Sequence, residues 1–431
     1  IVSKVYTSGS CNNCSPEEAI TVLLENSDLE WKRNQSQYII VHKSIDFVGR
    51  LISGYIIDGH TGEFIPHANI VVKNTYRGSI SDQYGFFTLT GTTQSADTLI
   101  ISYIGYEPAE YVNTNRLDVV RIELFPKVLE TKTVNIYGEQ LEFLQRSSGT
   151  GQLAFSPRHI DNLPNIGETD IFRSLQLLPG IQMGNTGFAG LYVRGGTPDQ
   201  NQIILDGMSI YQVDHFFGFF SAINSNIVKD VQVYKGGFPA KYGGRVASII
   251  DITGKSGSTK QQKIDLFTNM LSAGITYEQP LSKRSSFILS ARRSFTDQYQ
   301  TKLYDNIHDF LTSGSGLNIG AELQPDTVTY QSEYLPNFYF YDINGKFTYL
   351  PNDRDIVSIS YYEGKDYLGE EKNFDFGPDS VGIEQVIVDE QTKWGNKGMG
   401  ANWVRRWSRT IKTKLFMATT RYYSNHDLDS Y

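Results

Sequence analysis

At 431 residues the chain is too long for one ordinary domain, and its 27 Tyr and 24 Phe against 5 Met suit sheets and interfaces better than helix bundles. A formal net charge of -8, with no basic run or stripe, excludes the electrostatic footprint of a nucleic-acid binder. There is no run of about 18 apolar residues, which excludes a transmembrane helix but not a barrel, whose strands leave only weak alternating segments.

The chain opens at Ile1 without a charged-then-apolar leader, as expected of a mature secreted protein whose signal has been removed. Its only cysteines form Cys11-Asn12-Asn13-Cys14. That spacing serves a redox motif, half a metal site or a short disulfide, and no second Cys pair or nearby His completes a zinc set. Ser15-Pro16-Glu17-Glu18 then supplies an N-cap, a proline at the first helical position and a capping-box glutamate. Ala19, Ile20, Leu23 and Leu24 follow on one helical face, and short strands are expected at 29–31 and 38–41. Residues 1–45 therefore read as a small α/β module.

Residues 50–126 alternate in period two between turn signals, the pattern of a β-sandwich, with Gly85 in a tight turn. Residues 127–152 form a linker punctuated by Ser147-Ser148-Gly149-Thr150-Gly151. Residues 153–257 hold Gly-rich corners that let backbones pass closely. From 258 to 431, seven strands are expected near 263–270, 273–279, 286–295, 341–349, 356–363, 393–406 and 411–423. Short links between them alternate with long ones at 297–339 and 364–391, as an outer-membrane barrel requires. Ile411, Leu415 and Met417 share one face while Lys412 and Lys414 share the other, separating lipid-facing from lumen-facing sets. Trp394, Trp403, Trp407, Tyr422 and Tyr423 near strand ends suit interfacial girdles.

The sandwich segment, with Ile65-Pro66-His67-Ala68-Asn69 and Ser81-Asp82-Gln83-Tyr84-Gly85-Phe86, resembles the carboxypeptidase regulatory-like domain. That likeness implies a transthyretin-like fold and no catalysis. Ile171-Phe172-Arg173-Ser174-Leu175-Gln176-Leu177-Leu178-Pro179-Gly180, Tyr192-Val193-Arg194-Gly195-Gly196, Ile204-Leu205-Asp206-Gly207 and Tyr234-Lys235-Gly236-Gly237 resemble the plug of a TonB-dependent receptor. The plug likeness ends with Tyr242-Gly243-Gly244-Arg245. The first module is similar to the secretin/TonB short domain. The whole order resembles the Bacteroidetes type of TonB-dependent outer-membrane receptor: mainly β, with a small α/β module, a sandwich, an α+β plug and part of a barrel. Such plugged barrels close with about 22 strands, so further strands are expected outside this sequence.

Within the linker, Thr131-Lys132-Thr133-Val134-Asn135-Ile136-Tyr137 is similar to a TonB box, a β-prone segment captured by strand addition. The resemblance implies TonB-ExbB-ExbD as energising partner, outer-membrane lipid around the barrel, a nutrient too large for porins as ligand, and active import rather than catalysis. A signalling role for residues 1–45 through an anti-sigma factor, a non-transporting scaffold role and a surface lipoprotein lid are the alternatives. An oxidising compartment makes a structural Cys11–Cys14 disulfide the expectation. Ligand contacts are expected from residues 183–190 and from Tyr211, His215, Phe216, Phe217, Phe219 and Phe220 on a plug apex exposed to the outer cavity. The alternative for these aromatics is packing of the plug against the barrel wall.

No cofactor, metal or catalytic residue is expected. Gly254-Lys255-Ser256 lacks the glycine five residues earlier that a phosphate-binding loop needs, and Gly314-Ser315-Gly316 with Gly320 misses the dinucleotide spacing. Glu370, Glu371, Asp375 and Asp379 read as solvated loop charges, with calcium binding as the alternative.

Overall fold

The computed structural model describes residues 10–25, 29–34, 37–42, 50–75, 77–92, 98–112, 119–127, 144–146, 152–155, 168–183, 190–215, 218–307, 329–331, 337–375 and 385–430. They divide into a small unit, residues 1–51 with 90–95, and a large one holding the rest.

In the small unit, α1 (Pro16–Leu24) starts where the capping box directs. Glu18 N–H donates to Ser15 Oγ at 3.3 Å, and Ser15 N–H donates back to Glu18 Oε2 at 2.9 Å. Strands β1 (Leu29–Asn34) and β2 (Gln37–His42) pair antiparallel as a hairpin. The Trp31 indole packs edge-on against Tyr38 and donates to Thr21 Oγ1 at 2.9 Å, tying the hairpin to the helix. Cys11 and Cys14 are joined by a disulfide just before the cap.

The large unit begins with the sandwich: β3 (Arg50–Asp58), β4 (Asn69–Val72), β5 (Gly78–Ile80), β6 (Phe86–Thr92), β7 (Thr98–Ser102), β8 (Ala109–Val112) and β9 (Val120–Leu124). Sheets ordered β6-β3-β9 and β5-β4-β7-β8 close over Ile56, Ile70, Leu99, Ile101 and Leu124, all fully buried. At Gly85, φ is +71° and an added Cβ would sit 2.6 Å from the Ile56 carbonyl oxygen, so the turn between Asp82 and Phe86 requires glycine.

The next sheet is ordered β10-β11-β18-β19-β14-β15. It comprises β10 (Leu144–Arg146), β11 (Gln152–Phe155), β14 (Asn201–Leu205), β15 (Met208–Ile210), β18 (Val228–Lys235) and β19 (Ser248–Gly254). Around it lie α2 (Ile171–Leu175), capped by Asp170, and the hairpins β12 (Ile181–Met183) with β13 (Leu191–Val193) and β16 (Asp214–His215) with β17 (Phe220–Ser221). Ile171, Leu175, Val231, Val233, Ile250 and Ile252 form its core.

The last sheet runs β20 (Lys263–Thr268), β21 (Ser272–Ser282), β22 (Ser285–Ser294), β24 (Asn337–Asn352), β25 (Asp355–Asp375), β26 (Gln385–Arg406) and β27 (Lys412–Ser430), with the short β23 (Thr329–Gln331) paired to β25. All seven expected strands are present, but the expected long link 364–391 is corrected. Residues 364–375 and 385–391 continue the β25–β26 ladder, so Glu370 and Glu371 stand on a strand beside Lys372 rather than in a loop. Polar side chains on a ladder extended beyond the apolar band carry no hydropathy signal, and the expectation therefore stopped too early.

The sandwich meets the short-turn end of this sheet. Arg121 pairs with Asp353 at 3.3 Å, and the Thr88 hydroxyl donates to the Arg409 carbonyl at 3.2 Å. Tyr103 donates to the buried Asp230 of β18 at 2.9 Å.

Candidate functional site

Side chains alternate across a strand, so on β22, β24 and β25 the even-numbered residues face the core sheet and the odd-numbered ones face out. Arg292, Asp342 and Asp366 therefore project inward, each essentially buried. Between them lies His215, 2% exposed, at the end of β16. Its Nδ1 stands 2.6 Å from Asp366 Oδ2 and its Nε2 2.7 Å from Asp342 Oδ1. Two ionised carboxylates can only accept, so both ring nitrogens donate and the imidazole is doubly protonated. Burial opposes that charge, but the attraction of Asp366 and Asp342 outweighs it and pushes the His215 pKa up to about 10.

The same carboxylate is held from the other side. Arg292 Nε donates to Asp342 Oδ2 at 2.7 Å, Nη2 donates to the Ser221 carbonyl at 2.7 Å, and Nη1 pairs with Glu168. Phe340 stacks on the His215 ring at 4.4 Å and 10°. Phe219 and Phe220 pack beside it against Tyr304, Phe338 and Leu368. An inner hairpin is thus seated on the wall by paired charges inside an aromatic shell. A second fastening lies at Asp206, where φ is +48°. Its Oδ1 accepts from Gly254 N–H at 3.1 Å and Lys346 Nζ at 2.9 Å, and its Oδ2 accepts from the Ser360 hydroxyl at 3.1 Å.

The expectation of an apex exposed to the outer cavity is corrected for His215, Phe219 and Phe220, which are 2%, 5% and 2% exposed. Charge pairing and ring packing draw them to the wall. Tyr211 is 55% exposed, with its N–H donating to Asn396 Oδ1 at 3.1 Å. Phe216, Phe217, most of 183–190 and the segment Thr131 to Tyr137 lie outside the described residues. Arg194, Gly195 and Gly196 form the turn after β13, with φ of +50° and +83° at the first two. Gly236 and Gly237 turn the chain after β18. The Tyr242 hydroxyl donates to Asp251 at 2.5 Å, while Gly243, Gly244 and Arg245 continue into an exposed corner. Trp394 and Tyr422 stand on inward positions and so leave the expected outer girdle, whereas Trp403 and Tyr423 remain on it. Strand register puts Leu415 and Met417 beside the outward Trp403 and Ala401, and Lys412 and Lys414 on the opposite face beside Arg406 and Val404.

Sequence reasoning missed Glu168, Arg292, Asp342, Asp366 and Lys346. The one available signal was a full charge at an inward position, as at Asp342 two residues after the buried Phe340.

A family model described as the TonB-dependent Receptor Plug Domain matches residues 159–248, which contain both fastenings' inner partners, His215 and Asp206. A CarboxypepD_reg-like domain matches 52–136. The chain is 24% identical over 407 residues, 89% of its length, to the TonB-dependent receptor SusC of Bacteroides thetaiotaomicron. The chain carries the plug domain of the TonB-dependent receptors. It is accordingly an outer-membrane chain in which the eight-stranded sheet is part of a barrel wall and the described residues from 168 to 248 are plug. It is also 24% identical over 304 residues, 67% of its length, to the TonB-dependent transporter Oar of Myxococcus xanthus. The chain spans 37% and 26% of the length of these two relatives. Similar solved structures include a ferric enterobactin receptor of Pseudomonas aeruginosa, 13% identical with a TM-score of 0.36 over 63% of this chain and 45% of that one. The copper transporter OprC is 11% identical, with a TM-score of 0.37 over 67% and 48%.

Proposed function

We propose that this chain supplies the plug and part of the wall of an importer for a nutrient too large for porins, that the seat of the plug is its gate, and that it works as a transporter rather than an enzyme. The observation that carries the reading is the charge cluster of His215, Arg292, Asp342, Asp366 and Glu168. Removing one partner from a buried ion pair costs about 3–5 kcal/mol, so thermal motion rarely unseats the hairpin. A solute that must pass the plug needs work done on it, and the energising TonB-ExbB-ExbD partner is the source this reading assigns. Residues 131–137 are its grip, supported by their place ahead of the plug and by a composition suited to strand addition.

Ligand is received on the long-link side of the wall, with Tyr211 as the exposed aromatic contact in the described part of the plug. Residues 1–45 serve regulation and are not needed for uptake, because plug and box lie entirely downstream. Deleting residues 129–137 from the complete receptor should abolish ligand-dependent growth while surface assembly, measured by antibody labelling of whole cells, stays intact. Normal growth of the deletion strain would remove the energy-coupling assignment.

A further inference from the structure

In a two-sheet sandwich, inner-face residues alternate along each strand with outer ones that are left to water. The sheet β6-β3-β9 departs from that pattern. Ile52, Ile56, Phe87 and Leu89 fill the sandwich core, so Tyr55 and Phe86, beside them in the chain, point away from it. Tyr55 and Phe86 are nonetheless only 6% and 9% exposed, because they pack with Ile356 of β25 and Val404 of β26 in a second apolar cluster.

Strand register places that contact. Ile356, Val404 and Lys414 align across β25, β26 and β27, and Arg406 aligns with Lys412 one row nearer the short turns. All five stand on inward positions, so the sandwich is seated inside the rim of the wall. Arg406 lies over the Tyr55 and Phe86 rings at 5.6 and 5.4 Å. The turn after Ser81 follows the same rows: Lys412 pairs with Asp82, and Lys414 Nζ donates to Gln83 Oε1 at 2.8 Å. Tyr84 comes next, and burial together with the Asp206 carboxylate raises its hydroxyl well above the ordinary value.

A second set of contacts holds the plug. Glu63 of the sandwich, itself buried, accepts from Lys229 Nζ at 3.1 Å and from the Ser256 N–H. Asp230, 1% exposed, accepts from the Tyr103 hydroxyl at 2.9 Å. Lys229 and Asp230 open β18, a central strand of the plug sheet. Where the chain passes from plug to wall, Thr259 N–H donates to the Thr61 carbonyl at 2.9 Å. The sandwich thereby grips the wall and the plug together.

We propose that the sandwich is a lock on the periplasmic side of the plug, seated inside the rim by Tyr55 and Phe86 and joined to β18 by Glu63 and Tyr103, which must undock before the plug can move. Short turns are the periplasmic ones in such walls. Moving the plug past a docked sandwich would part Lys229 from Glu63 and leave a buried charge without its partner, which opposes the movement. The lock adds a second fastening to the proposed gate, and it rests on the import reading for the plug's need to move.

The test reads ion flow, which needs neither cargo nor an energising partner. The complete receptor is placed in a planar bilayer in potassium chloride, and urea is raised until a pore opens. In Tyr55→Ser/Phe86→Ser, whose altered side chains lie outside the sandwich core, the pore should open at lower urea than in the unaltered receptor. Should that variant not assemble, Lys229→Gln, which leaves the sandwich untouched, should shift opening the same way by a smaller step. Arg121 and Asp353 meet at 3.3 Å with both side chains exposed. Arg121→Cys/Asp353→Cys joined by a bismaleimide should need more urea than either single variant treated with the same reagent. Docking is read separately: a Tyr84→Cys thiol should react with a maleimide at least tenfold more slowly than Val112→Cys on the other sheet, where Val112 is 49% exposed. One urea dependence shared by the unaltered, undocked and bridged receptors overturns the lock, as does equal labelling at the two positions. A receptor that imports nothing while these shifts appear would sink the import reading and not the lock.

Discussion

Replacing His215 by Ala removes the cation that two wall carboxylates share. Asp342 keeps Arg292, but Asp366 loses the charged partner 2.6 Å away in a place where it is 1% exposed. A buried charge stripped of its partner costs about 3–5 kcal/mol. Because about 1.4 kcal/mol corresponds to a factor of ten, amides of β16 and β17 should exchange with deuterium roughly a hundred- to a thousandfold faster in the purified receptor, while those of β24 and β25 stay protected. Adding Asp366→Asn should recover part of the loss, since the carboxylate that loses its cation is then neutral. Unchanged exchange in His215→Ala, or no recovery in the double variant, would refute the argument that paired charge seats the plug.

Two further outcomes follow from the same geometry. His215 has its folded pKa raised from 6.5 to about 10, so its contribution is complete below about pH 6.5 and is lost as pH rises toward 10; the plug transition in calorimetry should fall across that window and flatten in His215→Gln. Gly207, at φ +88°, has no room for a Cβ, which would sit 2.1 Å from Phe416 Cζ on β27; Gly207→Ala should lower assembly yield, and Phe416→Ala should restore part of it, since only the backbone strain of about 1–2 kcal/mol then remains.

The elements were legible because their signals are local. The capping box at Ser15 and Glu18, the alternation in β22 and β27, and the glycine turn at Gly85 each depend on neighbours within a few residues. The plug motif was legible as an ordered set, and its Asp206 and Gly207 stand at contacts where sequence gave only their identity. The seat was not legible: His215 and Asp342 are 127 residues apart and His215 and Asp366 are 151 apart, so only the folded wall brings them together. Aromatics read as ligand-facing proved to be the shell of that seat, because an aromatic-rich hairpin looks the same in sequence whether its rings meet a ligand or a wall.

The central claim is that cargo passes only when the plug leaves its seat. Asn224 of the plug donates to Ser290 of β22 at 3.1 Å, both buried, which sets the two side chains against each other across the boundary between plug and wall. In cells carrying the complete receptor with Asn224→Cys and Ser290→Cys, uptake of its ligand should stop on oxidation and return on reduction, with ligand binding at the surface unchanged throughout. Uptake at full rate with the cross-link shown intact by mass spectrometry would contradict the account.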